Sequence, residues 1–168
     1  NKAIQYYKEA SSFNQQNAKN NLGIIYKNGY AHIPKNIKMA KIYFKEAIAQ
    51  CNDVLSMYNL AHLYMYEYST ENTITKSIKL LIQSSNLHFI QSNNLLCLAA
   101  IIKFGFDLTK IKNGIDELNN KSNDLSDHIC KLIIKKNLQD YIVFEEELNN
   151  MMSIDYIYND SFTSMQVN

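Results

Sequence analysis

The sequence predicts an all-α chain: an alpha-alpha superhelix, or solenoid, of antiparallel helix pairs with a period of about 37 residues. Three observations carry that expectation. A short block recurs at fixed spacing, the recurring blocks carry apolar residues three and four apart, and turn-forming residues are scarce. The block is AIQYYKEA at Ala3–Ala10 and AKIYFKEA at Ala40–Ala47, 37 residues apart. The same step leads to SIKLLIQS at Ser77–Ser84, then to the degenerate GIDELNNK at Gly114–Lys121. Self-similarity at a period between 20 and 50 residues is the signature of repeat architectures. A β-rich chain needs turn signals roughly every 8–12 residues. Four Gly and one Pro among 168 residues cannot supply them.

A second pattern lies between the copies. AKNNLGIIY at Ala18–Tyr26 is followed by SMYNLAHLY at Ser56–Tyr64 and by NNLLCLAAII from Asn93 to Ile102. Leu22 stands four before Tyr26, and Leu60 four before Tyr64, which is helix spacing. Two helices therefore fit each unit. The expected helices cover about 2–11, 17–27, 36–49, 53–66, 73–86, 92–104, 110–120 and 124–137. A further helix at about 139–151 is expected to cap the array, its Val143, Phe144 and Leu148 turned inward and Glu145–Glu147 solvated. Residues 1–151 form the repeat region on this reading, and 152–168 a tail.

One column holds Gly23, Ala61 and Ala99. Glycine inside a helix costs roughly 1 kcal/mol relative to alanine, so a small side chain there predicts close approach of the paired helix. Ala10, Ala47 and Ser84 form a second small column, and Leu22, Leu60 and Leu98 a large one. Small against large is how neighbouring helices interlock. Gly29 and Gly105 follow the first helix of their repeats, where a left-handed residue ends a helix. Glu67 occupies that column in repeat two, so its exit must differ. Asn36 is the expected N-cap after Pro34, with Asn72 or Thr73 in the matching place. Each hairpin alone leaves an apolar face in water, and stacking buries it.

These columns resemble the Sel-one-like repeat family, a branch of the tetratricopeptide-type solenoids. Its pattern, roughly A-x-x-x-L-G-x-x-Y-x-x-G followed by K-A-x-x-x-Y-x-K-A, is met by Ala18, Leu22, Gly23, Tyr26 and Gly29, then Ala40, Phe44, Lys45 and Ala47. Repeat two keeps Leu60, Ala61, Tyr64, Lys76, Ser77, Leu81 and Ser84; repeat three keeps Leu98, Ala99, Gly105 and Gly114. The period of 37 fits this branch better than the roughly 34 of ordinary tetratricopeptide repeats. The connection YAHIPKN departs from the family's, and so does Glu67. The resemblance implies a scaffold or adaptor that binds a protein or peptide.

The totals narrow the function. Formal net charge is +1, from 17 basic and 16 acidic residues, which gives no electrostatic case for nucleic acid. No window approaches 18 uninterrupted apolar residues, so no membrane insertion is expected of this segment. The chain opens on Asn1 and reads as a segment; cytoplasm and endoplasmic-reticulum lumen both fit. Cys51, Cys97 and Cys130 are an odd set without tight spacing and read as small buried helix residues. His32, His62, His88 and His128 form no metal motif. Asp116 with Glu117, Asp124 with Asp127, and Glu145–Glu147 read as solvated helix faces. No cofactor, metal or catalytic residue is predicted.

In related helical hairpins the first helix of each pair lines a concave groove. The positions flanking the packing columns are Asn17, Asn21 and Ile24; Leu55, Asn59 and His62; and Asn93, Cys97 and Ala100. An asparagine offers both donor and acceptor to the backbone of an extended peptide. Most of Tyr6, Tyr7, Tyr43, Phe44, Tyr58, Tyr64 and Tyr66 are expected to pack between helices, with Tyr30, Tyr68 and Tyr158 better exposed. The leading expectation is a protein-interaction scaffold. Alternatives are a groove binding a peptide, glycan or small ligand, a non-catalytic part of a larger enzyme, and self-association through an end repeat.

Overall fold

The computed structural model describes residues 5–7, 17–30, 33–119 and 124–135. After a helical stretch at 5–7 the elements are α1 (Ala18–Asn28), α2 (Ile37–Cys51), α3 (Val54–Leu63), a π-helical turn (Tyr64–Tyr68), α4 (Glu71–Asn86), α5 (Gln91–Phe104), α6 (Leu108–Asn119) and α7 (Leu125–Lys135). Successive helices pack as antiparallel pairs, and the stack is an all-α solenoid. Where they fall on described residues, the helices predicted from 17–27 onward start and end within three residues of these bounds, while the helix expected at 2–11 lies mostly outside the described residues. The expected cap helix at 139–151 and the tail at 152–168 lie outside the described residues. No described helix is long and apolar enough to cross a membrane.

The small column does what its residues imply. Phe44, fully buried on α2, projects its ring into the notch at Gly23, so that even a Cβ there would overlap the ring. In repeat two the Ser77 hydroxyl donates to the Ala61 carbonyl at 2.9 Å, which holds α4 close to α3. Ala61 and Ala99 are both fully buried. In repeat three the partners are exchanged: the glycine is Gly114 on α6, and the ring that fills its notch is Phe104 on α5. The pairing also loosens there, because α6 leans more on α7 than on α5.

The helix ends follow their residues. The Asn36 side chain accepts from Met39 N at 3.0 Å, the expected cap. Helix α4 begins earlier than expected, since Thr70, not Asn72 or Thr73, is the N-cap. Thr70 and Thr73 form a reciprocal capping box, a second threonine hydroxyl replacing the usual Glu or Gln. The YAHIPKN connection closes through a Tyr30–Ile33 bridge and an Asn36 N–H donated to Tyr26 O at 2.6 Å. Gly29 and Gly105 stop their helices at φ 75° and 70°. Neighbouring repeats are tied by buried polar contacts as well as apolar packing. Asn20 Oδ1 accepts from Ser56 Oγ and from Asn59 Nδ2, both at 3.1 Å. Ser92 Oγ of repeat three donates to Ser84 Oγ of repeat two at 2.8 Å, and within repeat two Ser84 Oγ donates to Val54 O at 3.3 Å.

Candidate interaction surface

The groove positions expected from the sequence separate into two sets. Asn17 is exposed, and Leu55, His62 and Asn93 are half-buried. Asn21, Ile24 and Asn59 are buried, as are Cys97 and Ala100. The exposure expected of Asn21 and Asn59 is therefore corrected: they keep only 2% and 5% of their surface. Asn59 faces the preceding repeat, where its amide donates to Asn20. The physical reason is the stacking itself. A buried amide without a partner is costly, and the neighbouring repeat supplies one. Asn93 accepts from Ser85 Oγ at 2.6 Å, so its side chain is held by α4. Asn17 stands at the N-cap of α1 without a side-chain capping bond.

The exit of repeat two brings together residues that stand in separate columns of the repeat. Without a glycine at position 67, α3 does not stop after Tyr64. It widens into a π turn, Tyr64–Tyr68, and ends at Ser69, which takes the left-handed conformation at φ 31°. The Ser69 N–H closes the turn on Tyr64 O at 3.1 Å. π turns inside helices occur frequently at functional sites. This one presents Tyr66 at 52% exposure and Tyr68 at 38%. Tyr66 belongs to the aromatic set of which most are expected to pack between helices, and it is one that does not.

Neighbouring groups hold these rings. The His62 ring lies 4.4 Å from that of Tyr66, and Tyr64 lies 6.3 Å from Tyr68. The Lys41 ammonium, reaching across from α2, stands 5.3 Å from the Tyr64 ring and 5.0 Å from that of Tyr68. Cations in this position are attracted by the ring face. Lys35 pairs with Glu67 at 2.6 Å, so the residue in the glycine column ties the π turn to the connection of repeat one. Tyr26 and Tyr43 stack at 5.5 Å on the neighbouring hairpin. Tyr30, at 39% exposure, is accessible as expected, while Tyr58 and Phe44 are fully enclosed and Tyr64 nearly so. Tyr158 lies outside the described residues.

Burial sets the protonation of this edge. Desolvation, helped by the charge of Lys27, lowers the His62 pKa to about 3, so the imidazole that stacks on Tyr66 is neutral at physiological pH. Burial also raises the Tyr43 and Tyr64 phenols above the ordinary tyrosine value. The edge thus offers hydroxyl donors and ring faces beside lysine ammonium groups. Elsewhere, Lys112 pairs with Asp127 across α6 and α7, their hydrogen bond raising the lysine and lowering the carboxylate. No cluster of three His, Cys, Asp or Glu able to hold a metal occurs among the described residues. The three cysteines are free. Only Cys97 is fully buried, as expected; Cys51 is exposed and Cys130 half-buried.

Compared with known families, the chain matches the Sel1 repeat over residues 1–12, 16–50 and 54–88. These boundaries bracket the α1–α2 pair and the α3–α4 pair. No curated protein and no solved structure matches it. With helix pairs recurring at this spacing and small residues at each close approach, the chain belongs to the Sel1-repeat family, whose architecture is a tetratricopeptide-like α-helical solenoid.

Proposed function

We propose that this chain is a protein-interaction scaffold whose partner contacts the exit of repeat two. Repeats of this fold generally mediate protein–protein interactions and are typically non-catalytic. The observation that carries the reading is the exposure of Tyr66 and Tyr68 on a π turn braced by His62, Lys41 and Glu67. Tyrosine is favoured at interface centres because it is large, loses little rotamer freedom and ends in a polar group. Bracing lowers the ordering cost of binding. Among the groove candidates, His62 belongs to this edge, and Asn17, Leu55 and Asn93 extend the proposed contact along the first helices. Asn21, Ile24 and Asn59 support it from within. The rings lie at an open edge, which suits a protein or peptide better than an enclosed small ligand.

Affinity capture from the source lysate tests this, with wild-type chain beside a folded Tyr66→Ser/Tyr68→Ser variant. A partner retained by wild type and lost from the variant supports the site. A partner retained equally by both moves the contact elsewhere.

A further inference from the structure

The charge of this chain, balanced in total, is divided along its length. Residues 17–50 hold six lysines (Lys19, Lys27, Lys35, Lys38, Lys41 and Lys45) and one carboxylate, Glu46. Residues 137–168 hold six carboxylates (Asp140, Glu145, Glu146, Glu147, Asp155 and Asp160) and no lysine or arginine. On α2, Lys38, Lys41 and Lys45 stand at i, i+3 and i+7, one face of a helix. Ile42, 45% exposed, lies beside them. Lys38 and Lys45 are exposed, and among the described residues no carboxylate pairs with either. Glu46 is turned to Lys19 at 3.2 Å, so it does not neutralise this face.

We infer that the chain's own acidic carboxyl-terminal stretch, Asp140 to Asp160, docks on the outer face of α2, in place of the end-capping position that its apolar residues alone suggest. Ionic complementarity selects the occupant, and connection makes the contact possible. Exposed ion pairs are individually weak and screened by salt, so three lysines hold a separate acidic molecule only loosely. A tethered segment acts at an effective concentration in the millimolar range, at which such pairs suffice. Because Lys41 also stands over the Tyr64 and Tyr68 rings, the docked stretch borders the edge assigned to a partner and competes with acidic segments for it. The inference does not rest on the scaffold reading, since its test involves no partner.

The test is zero-length carbodiimide cross-linking of the full chain, read by mass spectrometry on an equal mixture of 14N- and 15N-labelled protein. The neighbouring Lys112–Asp127 pair is the internal control. The expected result is singly labelled cross-links from Lys38, Lys41 or Lys45 to Asp140 or Glu145–Glu147, lost at about 1 M salt. A fluorescent poly-glutamate peptide gives the second arm. It should bind a Glu145→Gln/Glu146→Gln/Glu147→Gln variant about tenfold more tightly than wild type, because the competitor is weakened. Control cross-links without those from α2 would overturn the inference. Mixed-label cross-links overturn it in favour of a second copy, and equal peptide binding by the two proteins in favour of an open site for a foreign acidic segment.

Discussion

Repeats one and two carry the same columns up to the end of their first helices, Tyr26 against Tyr64, and then part. In repeat one Gly29 takes φ 75° and the helix stops at Asn28. In repeat two Glu67 stands in the glycine column, the helix widens into a π turn, and Ser69 takes the left-handed position two residues later. The first exit is compact. The second lifts Tyr66 and Tyr68 into solvent and gives Glu67 a lysine partner on the other repeat. A consistent pattern builds the solenoid, and the place where it is broken is where the surface chemistry gathers.

The largest effect expected on that comparison comes from the part the repeats share. Phe44 is fully enclosed in the Gly23 notch, and Phe44→Ala should cost about 3–5 kcal/mol in denaturant unfolding. The equivalent contact in repeat three uses Phe104, half-buried on α5, and Phe104→Ala should cost less than half as much. Equal losses would mean that the two notches are equivalent and the repeats do not loosen along the chain.

His62 separates the two exits by pH. Its folded pKa, about 3, lies below the ordinary 6.5. The unfolded chain therefore takes up a proton that the folded chain refuses. Its contribution is fully present above pH 6.5 and is lost as pH falls from there towards 3. Stability should drop by about 2–3 kcal/mol between pH 6.5 and 4 through this group, and His62→Gln should flatten that part of the profile. An unchanged profile in the variant would show that His62 is not held neutral against Tyr66.

Asn20→Ala sharpens the junction between the repeats. It leaves the Ser56 hydroxyl and the Asn59 amide without their acceptor and should cost about 2 kcal/mol, with a smaller loss in an Asn20→Ala/Asn59→Leu double variant. Strict additivity of the two changes would remove the proposed coupling. The smallest effect is a gain. Ser69 is a non-glycine residue at φ 31°, and Ser69→Gly should stabilise the chain by about 0.5–1 kcal/mol, seen as a higher melting temperature. The same change at Asn28, inside α1, should destabilise by a similar amount.

Most of the fold was legible because it depends on local spacing. The recurrence of Gly23, Ala61 and Ala99 located the close approaches, and Gly29 and Gly105 located two exits. Glu67 marked the exit of repeat two as different but could not show how, since a π turn leaves no period of its own in five residues. The site was less legible for a geometric reason. Whether Asn59 looks into a groove or at Asn20 depends on the rotation between successive repeats, which no single helix encodes. The same rotation decides that Asn21 is covered while Asn17, one turn earlier, is exposed. The outward Tyr66 follows from the extra residue per turn at the π segment, so the glycine column held the only signal for it.

The central claim is that the irregular exit of repeat two is the contact surface. Its most direct test is a titration of the captured partner against wild type and the Tyr66→Ser/Tyr68→Ser variant, with melting temperatures measured alongside. The account predicts at least about a tenfold loss of affinity, the effect of removing interface tyrosines, with the melting temperature little changed. Equal affinity for the two folded proteins would contradict it.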